Sequence, residues 1–408
     1  MRLPRRRFLG WLGAAGVGAA AGASAGQLAE RSLDGPSTAT SADQVIPFRG
    51  LHQAGIATPK QANVVFASID VAGGSRDDLR ALLRFWTGAA VRMTEGLPAA
   101  PASGDPMHVP WDTGETMDLG PNRLTITFGV GPTLFVKDES DRFGLAVHRP
   151  DALVEIPAFD TDDLDPSITG GDLCIQACAD DGQVAFHAVR ELLRLGHGLV
   201  SLRWSQAGFL PRVEEGVTPR NLLGFRDGTS NVGGQADDFE RFVWVGAEGP
   251  SWLRGGSFLV ARRIIIRIDE WDGSSLAEQE AVIGRLKASG APLNRRYEHD
   301  PVDLRALDAS GALVIPPNAH IRVAAGDSNG GARILRRSYS FVDRGEGSLQ
   351  AGLLFLAYQR DPRSQFIPIQ QQLARMDALN EYIRHTGSAI FAAFPGVGRD
   401  GVLGQGLL

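Results

Sequence analysis

The sequence predicts an α+β chain of two similar halves, each built on antiparallel sheet, and three observations predict it. Strand-like apolar runs alternate with stretches of helical apolar spacing, giving the order βαβ then βαβ in the first half. The second half repeats that order loosely. Once an N-terminal leader is set aside, about 360 residues remain, more than one average domain, with ample apolar content for sizeable cores.

In order, NVVFASIDV (residues 63–71) reads as a strand, and the helix after it carries Leu79, Leu82, Leu83 and Trp86 at helical spacing. LTITFGVG (124–131), a strand around 173–177, a helix over about 183–195 and LVSLRWSQAGF (199–209) complete the first half. In the second half, RFVWVG (241–246) and the strand-like SFLVARRIIIRID (257–269) precede a helix opened by a capping box from Ser275 to Glu278. Strands near 334–342 and 353–359 follow, and an amphipathic helix over about 369–383 comes last.

The chain opens MRLPRRRFLGWLGAAGVGAAAGASAG, in which Arg5, Arg6, Arg7, Phe8 and Leu9 form a twin-arginine RRxFL pattern ahead of a Gly/Ala-rich apolar run. That run is too short and too rich in glycine for a good membrane span, and Ala23-Ser24-Ala25 offers a small-residue cleavage site, so residues 1–25 read as an export signal. The alternative is an uncleaved anchor. Export by this route carries folded proteins, and it ends in the periplasm or outside the cell. Residues 26–47, rich in Ser, Thr, Ala, Asp and Gly, read as a flexible linker, followed by domains over 48–215 and 216–408. The formal charge is −6, and loss of the leader with its four arginines takes it to about −10. Such an acidic chain has no electrostatic footprint for nucleic acid or anionic membrane.

Cys174 and Cys178 are the two cysteines, four residues apart on one predicted strand. That is roughly 13 Å, too far for a disulfide, and no further metal ligands lie nearby, so both read as buried free thiols.

The segment that organises the rest is NLLGFRDGTSN (221–231). It sets Asp227 between two permissive glycines, Gly224 and Gly228, a spacing able to lay a loop flat against a large planar group while aiming the carboxylate at it. A plain surface turn uses the same residue types. IPPNAHIRVAAG (315–326) adds His320, its approach stiffened by two prolines, and ILRRSYSF (334–341) adds Arg336 and Arg337. On a strand only one of those two arginines faces a given side. Together with HQAGIATP (52–59) and GLLFLAYQRDP (352–362), five segments in this order resemble the dye-decolourising peroxidases from about residue 48 to the C-terminus. These are haem enzymes of the dimeric α/β-barrel superfamily, built from two ferredoxin-like domains that hold haem in the C-terminal half.

The resemblance implies one haem b per chain, with His320 as axial ligand to the iron and Asp377, in the C-terminal helix, as the carboxylate behind it. It implies Asp227 as the distal acid/base that moves the peroxide proton and Arg336 as the fixed cation on the leaving oxygen. Leu353 and Phe355 would cover the distal face of the haem and Gly228 would let the backbone approach it; Arg322, two residues after His320, could reach a propionate. An apolar pocket raises an Asp and a neighbouring arginine lowers it, so activity is expected at mildly acidic pH. Ser338 stands where some members of the family carry asparagine, which suggests the twin-arginine-exported subgroup.

The expected activity is oxidation of dye-like, phenolic or metal reductants by hydrogen peroxide through a ferryl intermediate. Trp204, Trp244, Trp252, Trp271 or Tyr297 would relay electrons. The alternatives are a deferrochelatase-type protein that delivers iron from haem to an uptake partner, and a fold relative that has lost haem. The twin-arginine translocase is the expected export partner, and a homo-oligomer is a further possibility. Gly396, Gly398 and Gly401 spell GxGxxG, but no βαβ unit flanks them, so no dinucleotide site is expected.

Overall fold

The computed structural model describes residues 41–101, 107, 109–214, 216–235, 237–344 and 349–408. The expected leader and most of the expected linker lie outside the described residues. The first half runs β1 (Asn63–Val71), α1 (Arg76–Thr94), β2 (Thr125–Val130), β3 (Leu173–Ala179), α2 (Gly182–Leu195) and β4 (Val200–Phe209). Its strands are antiparallel in the order β2-β3-β1-β4, the ferredoxin-like arrangement with the fourth strand beside the first.

Local chemistry sets both helices. Ser75 caps α1 in a complete capping box with Asp78, and Asp77 and Asp78 place negative charge at the positive end of the helix dipole. Leu79, Leu82, Leu83 and Trp86 are all buried, each leucine contributing about 1.5–3 kcal/mol by that burial. Asp181 caps α2, accepting from the amides of Gln183 and Val184. The Trp86 indole donates to Leu192 O at 2.8 Å, so the two helices are joined by a satisfied polar contact inside the core that they share with the sheet.

The second half contains β5 (Ser257–Ile266), α3 (Leu276–Ile283), the single turn α4 (His320–Val323), β6 (Leu335–Arg336), β7 (Tyr339–Arg344), β8 (Leu349–Gln359), α5 (Phe366–Met376) and β9 (Ile383–Ala393). The antiparallel order β9-β5-β8-β7 is the same permutation as in the first half. β6 and β7 keep one register on β8, so they are a single strand interrupted at Arg337 and Ser338. The two sheets meet along short seams, β2 on β9 at Gly129↔Ala393 and Val130↔Ala392, and β4 on β7 at Phe209↔Ser340. With β5 paired to β8, eight strands form a closed ring whose interior holds Phe66, Trp204, Tyr339, Tyr358 and both cysteines, which are free thiols. Gly129 permits the first seam, since a Cβ there would stand 3.0 Å from Cys174 Sγ and 3.1 Å from Phe391 Cβ.

Two expectations are corrected. RFVWVG is no strand: a short helix, Asp238–Phe242, ends inside it and the rest is loop. The last helix stops at Met376, and the residues from Ile383 onward form β9, which pairs with β5 over ten positions. The run SAIFAAF lacks the polar alternation that marks a half-exposed strand because β9 is covered on both faces near its end. Asp377 therefore sits at the C-cap of α5 and N-caps the short 3₁₀ turn Ala378–Glu381, outside the helix proper.

Candidate active site

The site begins with the loop of residues 221–231. Asn221 Oδ1 accepts from the amides of Leu223 and Phe225, and Gly224 N donates to Asn221 O, which closes a tight turn. Gly224 has φ +86°, and a Cβ on it would come within 2.6 Å of Lys287 Cε; Gly228 has φ +125°. Both positions demand glycine on backbone grounds. At Gly228 the nearest atom to a Cβ would be Thr218 Cγ2 at 3.7 Å, so that side of the loop is open.

Asp227 is held from three directions. Its amide donates to Pro219 O at 2.9 Å. On either side of it, Arg226 pairs with Glu298 at 3.2 Å and Thr229 Oγ1 donates to Glu298 Oε1 at 2.8 Å, so one carboxylate clamps both flanks. Its own carboxylate accepts from Arg336 Nη1 at 2.8 Å. Asn231 completes the frame: its side chain accepts from Arg336 N at 2.8 Å and donates to Arg336 O at 2.9 Å, a two-point grip that fixes the loop to the strand carrying the arginine.

The paired arginines diverge as strand geometry requires. Arg336 turns to Asp227, while Arg337 is buried on the barrel side and donates to Thr58 O and to Gln61 Oε1. Ser338, on the Arg336 face, buries its hydroxyl without a partner among the described residues. Leu353 and Phe355 stand half-buried on β8, alternating with the wholly buried Leu354 and Leu356 that point into the barrel.

The second pair of the site is built on His320, whose charge also acts on Asp227. Ala378 N donates to Asn318 O, and Arg322 donates to the carbonyls of Ile315 and Pro316, so the approach to His320 is pinned to the end of α5. Arg322 thus braces this turn. The His320 Nδ1–H donates to Asp377 Oδ2 at 2.6 Å, and Asp377 Oδ1 accepts from Leu379 N at 2.9 Å. That fixes the tautomer and leaves Nε2 directed away from its carboxylate.

Electrostatics shift Asp227 and His320 in opposite directions. Burial works to raise Asp227, but the charges of Arg336, Lys60 and His320 together with the Arg336 hydrogen bond outweigh it, and the carboxyl is held below its ordinary value. Burial likewise works to lower His320, and Asp377 outweighs it to raise the imidazole. The side chains of Asp227, Arg336 and His320 are half-buried, with 19%, 27% and 30% of their respective surfaces accessible.

Sequence reasoning named Asp227, Arg336, His320 and Asp377, and the fold brings all four together. It gave no role to Asn231, which lay inside the quoted motif, to Glu298, or to Lys60, the residue just after HQAGIATP. For Asn231 the signal was its distance of four residues from Asp227; for the other two no local pattern exists. Of the aromatic side chains considered for electron relay, the four tryptophans are buried and Tyr297 is exposed; Trp111, not considered, is also exposed. No cluster of three or more His, Cys, Asp or Glu able to hold a metal ion occurs among the described residues.

Residues 53–210 match the family profile described as "Dyp-type peroxidase, N-terminal", and residues 218–398 match "Dyp-type peroxidase, C-terminal". The chain is 39% identical to a protein named Dye-decolorizing peroxidase from Thermobifida fusca, covering 99% of this chain and 97% of the relative. It is 37% identical to a Deferrochelatase from Escherichia coli, covering 96% and 94%. Among solved structures, the oxyferrous/water mixed complex of DtpA from Streptomyces lividans superposes with a TM-score of 0.83 at 40% identity, covering 90% of this chain and 98% of that one.

Proposed function

Because the chain belongs to the Dyp-type peroxidase family and is a haem-dependent peroxidase, we propose that Asp227 and Arg336 form its peroxide-handling side and that His320 is the iron ligand. The observation that carries this reading is the pair of hydrogen-bonded ion pairs, Asp227 with Arg336 and His320 with Asp377, whose charges act on each other. The residues fit haem. His320 presents an uncommitted Nε2, Leu353 and Phe355 supply half-buried apolar surface, and the backbone at Gly228 is open to a flat group.

When bound, haem supplies the electrons that cleave the peroxide bond and is returned to rest by two one-electron reductants. The protein's part is proton and charge management. Asp227, ionised, would accept the proton of one peroxide oxygen and return it to the other, which leaves as water. Arg336 keeps its charge throughout and stabilises the negative charge that grows on the leaving oxygen. Asp377 holds the His320 imidazole in one orientation and makes it a stronger donor. The reductants are dye-like or phenolic organic molecules or metal ions, and exposed Tyr297 gives one surface route for electrons.

The test is an optical spectrum of the mature holoprotein before and after one equivalent of peroxide, for wild type and for His320→Ala. Wild type is expected to show a Soret band that shifts on peroxide, and the variant to lose the haem or the shift. A wild-type protein unresponsive to peroxide between pH 3 and 8 refutes the reading. Similarity to a Deferrochelatase, at 37% against 39%, does not favour iron release over oxidation. Export by the twin-arginine route is part of the same proposal, supported by Arg5-Arg6-Arg7-Phe8-Leu9. Changing Arg5 and Arg6 to lysine is expected to leave the protein in the cytoplasm, and undiminished export of that variant refutes the route.

A further inference from the structure

On the sheet face that carries Arg336, another arginine lies buried. β8 places Ala357 opposite Arg336 and, two residues earlier on the same face, Phe355 opposite Arg262 of β5. Arg262 is only 1% exposed, and the proton and charge steps given to Asp227 and Arg336 do not involve it. Its guanidinium donates to Asp162 Oδ1 and, at 3.4 Å, to Ser388 Oγ of β9, and it lies over the ring of Phe159 at 5.4 Å.

Asp162 comes from the first half of the chain. It stands in the connection between β2 and β3, at the end of a turn in which its amide donates to Phe159 O at 2.9 Å. Beyond it the connection runs along β9, the amides of Asp163, Asp165 and Gly170 donating to the carbonyls of His385, Thr386 and Ser388, each at 2.9 Å. The side chains then close a circuit. Phe159 meets Phe366 edge-on with ring centres 6.5 Å apart, Phe366 meets Phe355 at 6.1 Å, Phe355 stands opposite Arg262, and Arg262 covers Phe159. Of these four, Phe355 alone is half-buried, and it is the one that gives apolar surface to the site.

Stability does not explain a charge at this place. A buried ion pair is often no more stabilising than apolar side chains of the same volume. This one also leaves two buried nitrogens without partners among the described residues, Arg262 Nε and the Nδ1 of His385, whose backbone bridges to that of Asp162. What an ion pair adds is selection of one arrangement, because only one placement of residues 159–170 sets Asp162 on Arg262.

We propose that Arg262 is a positioning residue of the peroxide site: pinned by Asp162, it holds Phe355 in place through Phe159 and Phe366 and so limits the size of ligand that the site admits. The proposal rests on the peroxidase reading, and its test separates the two.

The experiment compares wild type with Arg262→Met/Asp162→Leu, which replaces the pair by apolar groups and strands no charge, and with Arg262→Lys, which keeps a cation for Asp162. The first readout, the crystal structure of each, uses no peroxide and no bound ligand. The second is the pair of affinities of the ferric holoprotein for cyanide and for the larger imidazole, read from the Soret band. In the double variant the Phe355 ring is expected to move by on the order of 1 Å, and the ratio of imidazole to cyanide affinity to rise by about tenfold or more. Arg262→Lys is expected to keep the wild-type ratio. If the double variant does not fold, Phe159→Leu, which removes the ring beneath the guanidinium, carries the same expectations.

A folded double variant with Phe355 unmoved and the ratio unchanged overturns the proposal. So does a parallel loss of affinity for both ligands, since a general loosening of the pocket does not select by size. If wild type does not respond to peroxide, the peroxidase reading fails, while the position of Phe355 in the variant still decides the role of Arg262.

Discussion

The two halves share a strand order and differ in what covers the sheet face outside the barrel. In the first half α1 and α2 pack on each other and α2 lies along β1 and β3, so the face is a closed core around Trp86, Leu82 and Leu83. In the second half α5 leans on the His320 turn and touches the sheet through Phe366, whose ring centre stands 6.1 Å from that of Phe355. The connection from β5 to β6 takes about 70 residues rather than one helix, and it carries the His320 turn while the loop before β5 carries Asp227. One copy of the fold spends its face on stability and the other leaves it open for a site. A shared fold therefore does not locate function; the segments that fail to cover a sheet do.

That division is sharpest at Asp227. Asp227→Asn, which keeps the shape and removes the charge, is expected to slow the peroxide-driven Soret change by about 10²–10⁴-fold with haem content retained. Because the charges around Asp227 and its hydrogen bond from Arg336 together outweigh burial, the folded carboxyl titrates below its ordinary value of about 3.9, and the wild-type rate should hold level from pH 7 down to about 4. The same depression favours folding of the ionised form. Its contribution to stability is present above about pH 3.9 and is lost as pH falls through the folded value, so the stability gap between wild type and Asp227→Asn should narrow in acid. A gap of constant size down to pH 3 would mean that Asp227 is not held by its cations. The mirror experiment is Trp86→Ala in the first half. It should cost about 3–5 kcal/mol in denaturant unfolding and leave the spectrum and the rate per folded molecule unchanged. A large loss of peroxide reactivity in the folded variant would break the comparison.

The first half was nearly readable from sequence because its covering helices follow local rules: apolar spacing, Ser75 and Asp181 caps, and strands of ordinary length. β9 was not, since a strand buried on both faces near its end has no period to read. The named side chains of the site were legible because five motifs fell in order. Their supports were not. Glu298 clamps a loop some seventy residues before it, and Arg337 fastens Thr58 and Gln61 from the other half of the chain, contacts that exist only after two sheets have closed on each other.

Asn231 tests the comparison most finely, because it supports the site without touching the chemistry. Its side chain imitates a strand neighbour for Arg336, filling both the N–H and the C=O of that residue where the β6–β7 strand is interrupted. Asn231→Ala leaves those two groups to find water or go unpaired, an expected cost of about 1–3 kcal/mol in unfolding, less than for Trp86→Ala. The catalytic consequence follows from geometry. Freed at its backbone, Arg336 shifts against Asp227, and displacement on the order of 1 Å is enough to slow the peroxide step by about 10²-fold at most, with the acid limb moving up as the ion pair loosens. Asn231→Asp retains the acceptor for Arg336 N but loses the donor to Arg336 O, and should fall between wild type and Asn231→Ala in rate. If Asn231→Ala instead loses stability with an unchanged rate and acid limb, the loop around Asp227 is self-sufficient and the open face of the second half needs no brace from this residue.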